Sequence, residues 1–145
     1  MKWNNAAMLV GMLGLCAAPC IFADGGSENA LEGTSWALVE IQSMDDTIVK
    51  PRAEDDFILT FKDASSVQLK VDCNRGTGSY QWSDSGQLQF GPLATTKMMC
   101  GPDSIDNRFL SDLSYVRSYV MKEGNLYLAT MADGAILEFA PWSED

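Results

Sequence analysis

The chain has 145 residues and no histidine, and its 20 acidic against 10 basic residues give a formal net charge of -10. Without histidine it lacks the commonest general base and the commonest transition-metal ligand, and its negative balance disfavours nucleic acid and anionic membrane surfaces, whose counterion release needs the opposite sign. Apolar residues make up 46%, enough for one globular core in a chain of this length but not for two.

Lys2 opens the chain, and Ala6 to Phe22 then run without a charge around Met8, Leu9, Val10, Met12, Leu13 and Leu15. Gly11, Gly14 and Pro19 interrupt a stretch barely long enough to cross a bilayer, so residues 1–23 read as a cleavable signal peptide rather than a transmembrane anchor. The Ile21-Phe22-Ala23 arrangement places cleavage before Asp24, and Cys16 and Cys20 leave with the leader. Lipoprotein processing needs a small residue before the modified cysteine; Leu15 and Pro19 stand there, which disfavours it. The expected destination is the periplasm or the exterior, with no transmembrane anchor after cleavage. Residues 24–30 read as a flexible tether, 31–142 as the folded domain and 143–145 as a tail.

Thr34 to Ile41 predicts a strand with apolar side chains on both faces, and Gln42 to Ile48 a loop. Phe57, Leu59 and Phe61 alternate, Lys62-Asp63-Ala64-Ser65 supplies a turn, and Val67, Leu69, Val71 and Cys73 alternate again: a hairpin. Gly76 to Gly78 predicts a turn, Ser79 to Trp82 a short strand, Ser83-Asp84-Ser85-Gly86 a turn into Leu88 and Phe90, and Gly91-Pro92 a break before an extended Leu93 to Met99. Ile105, Phe109, Leu113 and Val116 recur at helical spacing, predicting one helix over about Ser104 to Leu113. Tyr115 to Met121, Leu126 to Thr130 and Ala135 to Phe139 predict closing strands separated by Glu123-Gly124-Asn125 and Asp133-Gly134. The fold class is mainly β: a small antiparallel barrel or strongly curled sheet of about eight strands with one covering helix.

Gly33-Thr34-Ser35-Trp36-Ala37-Leu38, Cys73-Asn74, Thr96-Lys97-Met98-Met99-Cys100 and Phe109-Leu110 before Leu113, in that order across Leu31 to Phe139, resemble the META domain of bacterial envelope and heat-shock proteins. The resemblance implies antiparallel strands with one helix, a link to envelope stress tolerance and no established catalytic activity. It marks Trp36, Asn74, Thr96 and Met98 as structural-motif residues. The family often carries a glycine just before the Cys-Asn pair, where this chain has Asp72.

Cys73 and Cys100 are the two thiols left after leader removal, an even number in an oxidising compartment, and each ends an extended segment. A disulfide between them would close a loop of nearly thirty residues and stabilise the fold by on the order of 3–4 kcal/mol. Two buried free thiols, or a reactive pair, are the alternatives; the spacing is far from C-x-x-C. Asn74 follows Cys73 where the chain turns, and its short amide can cap backbone groups or tolerate a left-handed conformation; it reads as a turn-former rather than a ligand-binder. Met98, Met99 and Cys100, with Met44, Met121 and Met131, contain the soft donors that cuprous copper prefers, but methionine is a common filler of irregular cores and adjacent strand residues face opposite ways. Glu54-Asp55-Asp56 and Asp45-Asp46 lack EF-hand spacing and read as solvated loops. Trp36, Tyr80, Trp82, Phe90, Tyr115 and Tyr119 line a ligand cavity if the barrel is hollow and form the core if it is filled; chain size favours filling.

No S-x-x-K arrangement, Walker loop, dinucleotide fingerprint or zinc-ligand spacing is found, so no catalytic, cofactor-binding or metal-ligating residue is nominated. The reading is a non-enzymatic exported protein that supports envelope stress tolerance by binding an envelope protein or by a structural contact. The alternative is a carrier of a small hydrophobic ligand.

Overall fold

The computed structural model describes residues 28–144; the expected signal peptide with Cys16 and Cys20, the expected cleavage site between Ala23 and Asp24 and most of the expected tether lie outside them. Among the described residues, nine strands and one α-helix follow in the order β1 (Ser35–Ser43), β2 (Ile48–Val49), β3 (Phe57–Phe61), β4 (Ser66–Val71), β5 (Asn74–Trp82), β6 (Leu88–Thr95), α1 (Asp106–Tyr115), β7 (Val116–Lys122), β8 (Asn125–Thr130) and β9 (Ala135–Pro141). All strand pairs are antiparallel. They build one sheet in the order β6-β5-β4-β3-β1-β9-β8-β7, with β2 paired to the far end of β1.

The sheet curls until its two edges meet. Gln87, just before β6, bridges Ser118 on β7, and Tyr119 donates its backbone N–H to Gly86 O at 2.9 Å. Curling follows from strand twist and from bulges, which sharpen it locally. One bulge lies in β1, where the register against β9 slips between Leu38 and Glu40. Trp36 and Leu38 face inward, Val39 is the extra residue, and Ile41 faces inward again opposite Leu137. Strict alternation from Trp36 would have buried Glu40 instead; the bulge restores the apolar face.

Inside the curl, Phe57, Phe61, Phe109 and Phe139 are almost completely buried together with Leu31, Leu38, Ile41, Leu59, Leu88, Leu113, Leu126 and Leu128. Each such side chain contributes about 1.5–3 kcal/mol by leaving water. Helix α1 closes the open side by inserting Phe109 and Leu113: the Phe109 ring lies 5.0 Å from Phe57 and 6.3 Å from Phe139. The aromatic set of the sequence analysis divides. Trp36, Tyr80 and Phe90 fill the interior, with Tyr80 and Phe90 packed on Phe61 at 4.9 and 6.4 Å between ring centres; Trp82 and Tyr119 pack half-buried against the core; Tyr115 is exposed.

Three local expectations are corrected. Gly76 and Gly78 do not turn the chain but lie within β5. A Cβ on Gly76 would come within 2.6 Å of Thr95 Cγ2, and one on Gly78 would collide with Leu93 Cδ2; the glycines clear room for β6 side chains to lie across β5. Gly91-Pro92 does not end the strand either: β6 runs through both to Thr95. It can because β6 is a sheet edge and a register shift lies opposite, between Gly78 and Tyr80, so no ladder bond is asked of the proline nitrogen. The helix begins two residues late, at Asp106, whose N–H is accepted by Ser104 Oγ at 3.3 Å.

Candidate functional site

The turn that joins β4 to β5 has only two residues, Asp72 and Cys73, since Val71 pairs with Asn74. So tight a reversal demands a positive φ, and Asp72 supplies it at 55°. Its carboxylate is held by Arg52, whose Nη2 donates to Oδ2 at 2.7 Å. Cys73 is thereby aimed at the segment leaving β6, where it is joined to Cys100, with Sγ atoms 1.99 Å and Cα atoms 5.4 Å apart.

Asn74, the next residue, is 4% exposed and uses its whole amide. Its Nδ2 donates to Met98 O at 3.0 Å and to Cys100 Sγ at 3.1 Å. Its Oδ1 accepts from Thr96 Oγ1 at 2.8 Å and from the Met98 N–H at 2.7 Å. Two donors and two acceptors are all the side chain has. Thr96 extends the network by accepting the Arg75 N–H on its hydroxyl at 3.0 Å and donating its own N–H to Arg75 O at 2.9 Å. One amide and one disulfide therefore fasten residues 96–100 to the start of β5.

Of the two roles expected of the Asn74 amide, the structure shows the capping of backbone groups rather than the left-handed turn position. The turn belongs to Asp72 and Cys73, and Asn74 clamps a distant loop. Four of the residues singled out in the sequence, Cys73, Asn74, Thr96 and Cys100, meet here, with Met98 contributing through its backbone. Trp36 does not join them: its indole N–H bonds Thr34 Oγ1 at 2.7 Å, and Thr34 in turn donates to Leu31 O, fixing the entry of the chain into β1. Asn29 Nδ2 donates to Tyr80 Oη at 2.7 Å, so the order of the fold reaches that residue.

The methionines depart from expectation most. Met98 is 58% and Met99 97% exposed, so neither fills the core. The clamp instead lifts their side chains into water beside an open cleft of about 380 Å³, bordered by Asn74, Cys100, Asp106, Asn107 and Leu110. Chemically the site offers thioethers, carbonyls and a spent amide, a surface suited to contact.

Three of the five carboxylates in the acidic clusters, Asp45, Asp55 and Asp56, have local partners. Asp55 receives Lys70 Nζ at 2.8 Å, and that hydrogen bond and charge hold its carboxyl below the ordinary range. Asp56 accepts the Ala53 N–H at 2.9 Å. Asp45 accepts the Thr47 N–H at 3.0 Å, and its hydrogen bonds with Thr47 lower its pKa. Asp63 has the strongest effect: the Ser66 hydroxyl and the N–H groups of Ser65 and Ser66 converge on it and pull it down to about 2. It organises the β3–β4 turn. Sequence reasoning missed Arg52 and Arg75 as supports of the loop, because nothing in the sequence links Arg52 to Asp72 or Arg75 to Thr96.

Among the described residues no helix is long and apolar enough to cross a membrane. Comparison with known proteins now fits this geometry. No curated protein matches the chain. Of solved structures, it is similar to a protein from Burkholderia xenovorans determined by NMR, at 26% identity and a TM-score of 0.65, covering 79% of this chain and 85% of that one. It shares its fold with a DUF4847-family protein from Bacteroides vulgatus, at 16% identity and a TM-score of 0.58, covering 80% and 97% of the two chains. The META domain model matches residues 29–144, taking in the Trp36 strand, the Cys73-Asn74 turn, the clamped loop and the helix, and the chain belongs to the META domain family.

Proposed function

We propose that this is an exported, non-enzymatic META-domain protein that supports envelope stress tolerance through a contact with another envelope protein, made by the clamped 96–100 loop. The observation that carries the reading is the contrast within that loop: the backbone is fixed by Asn74 and the disulfide while Met99 stands 97% exposed. A fixed backbone with protruding flexible thioethers loses little conformational entropy on docking and adapts to varied apolar partners. Placement in an oxidising envelope is supported by Lys2 followed by the charge-free Ala6 to Phe22 run and agrees with a disulfide between residues 73 and 100. The alternative role as carrier of a hydrophobic ligand requires interior space, and the Phe57, Phe61, Phe109 and Phe139 packing favours the contact reading over it.

A photo-crosslinker placed at position 99 in cells under envelope stress tests the proposal. One defined envelope protein should be captured there, not from position 84 on the β5–β6 turn, and Met98→Ser with Met99→Ser should lose the stress protection that the parent restores to a deletion strain. Identical capture from both positions, or full protection by the double variant at an unchanged melting temperature, would refute it.

A further inference from the structure

Methionine is among the residue types most often found fully buried, yet all five methionines of the described residues, Met44, Met98, Met99, Met121 and Met131, are exposed, from 42% at Met121 to 97% at Met99. The interior is built mainly from phenylalanine, leucine, isoleucine and valine, with Trp36, Tyr80 and Ala135, instead. The five lie on four separate segments: the β1–β2 turn, the clamped loop, β7 and the short 3-10 turn after β8. Three of them lie outside the loop assigned above to protein contact, so that role does not account for the set.

Exposed thioethers share one reaction. A two-electron oxidant converts each to a sulfoxide, a change that disrupts a packed core but is absorbed by a side chain already in water. Among the described residues the competing thiols are consumed, because Cys73 and Cys100 are joined to each other. We propose that the domain is a stoichiometric sink for hypohalous acids, with Met44, Met98, Met99, Met121 and Met131 as its modification sites. In the reaction with hypochlorous acid the sulfur gives up two electrons and gains an S=O bond. The O–Cl bond breaks, chlorine departs as chloride, and the hydroxyl proton passes to water. The fold survives because none of the five side chains packs in the core.

The test is a titration of the disulfide-bonded protein with hypochlorous acid, read by peptide mass spectrometry and by thermal melting. All five sites should become sulfoxides within about the first five equivalents, Met99 earliest, with cooperative melting kept to within a few degrees. Free N-acetylmethionine in the same solution should be spared relative to a solution of the variant with all five replaced by leucine, or by glutamine should the leucine variant fail to fold. Loss of cooperative melting as the sulfoxides form, oxidation of tryptophan or tyrosine ahead of the methionines, or equal sparing by the substituted variant would overturn the proposal. None of these readouts depends on a protein partner, so the contact reading can fail while this one stands, and the converse.

Discussion

Two hairpins of this domain turn in two residues, and they are held in opposite ways. At β7–β8 the turn is Glu123-Gly124, both at positive φ (53° and 85°), and a Cβ on Gly124 would touch nothing within 4 Å. Local chemistry alone makes that turn. At β4–β5 the turn is Asp72-Cys73, with an aspartate in the left-handed conformation that glycine adopts more cheaply. Glu123 bears a similar cost at the bare turn; what sets β4–β5 apart is that it is fastened from outside, by Arg52 on Asp72, by Cys100 on Cys73, and by the loop that Asn74 clamps next door. Both turns place a non-glycine residue at positive φ; only the tied one also fixes a distant loop.

The largest expected effect is on the tied turn. Cys73→Ala with Cys100→Ala should lower stability by about 3–4 kcal/mol, read as a drop in the urea midpoint, and dithiothreitol should do the same to the parent protein. Asn74→Ala should cost about 2–4 kcal/mol, since it strands the Met98 N–H, the Met98 carbonyl and the Thr96 hydroxyl together. The bare turn should respond in the reverse sense to backbone chemistry: Gly124→Ala should lose about 1 kcal/mol through its φ alone, whereas Asp72→Gly should stay within about 1 kcal/mol of the parent, relief of the left-handed strain offsetting the lost ion pair with the half-exposed Arg52. Smallest is the pH response of the β3–β4 turn. Asp63 is depressed from 3.8 to about 2 in the folded protein, so its contribution is complete above the unfolded value and fades as pH falls through about 2. Asp63→Asn should flatten that part of the acid-denaturation curve.

The same contrast explains what the sequence disclosed. Elements set by local pattern were legible: the Phe57–Phe61 and Val67–Val71 alternation, the Glu123-Gly124 turn, the helical spacing of Phe109 and Leu113, and the pairing of the two remaining cysteines. Elements set by tertiary partners were not. Gly76 and Gly78 resemble turn residues until Thr95 and Leu93 are seen lying over them. Val39 is an ordinary strand residue until the register with β9 makes it the bulge. Asn74 and Thr96 are ordinary polar residues in sequence, and only the approach of residues 96–100 to β5 gives their hydrogen bonds a common purpose. Methionine usually packs in cores, and no sequence period marks these five as surface.

Amide hydrogen exchange at Met98 tests most directly whether one side chain clamps the loop. Its N–H is donated to Asn74 Oδ1 at 2.7 Å, so in the oxidised protein it should exchange on the order of a hundred-fold more slowly than an unprotected amide, and Asn74→Ala should abolish that protection while leaving the β8 amides slow. Exchange of the Met98 amide at the free-peptide rate in the intact protein, or protection unchanged by Asn74→Ala, would contradict it.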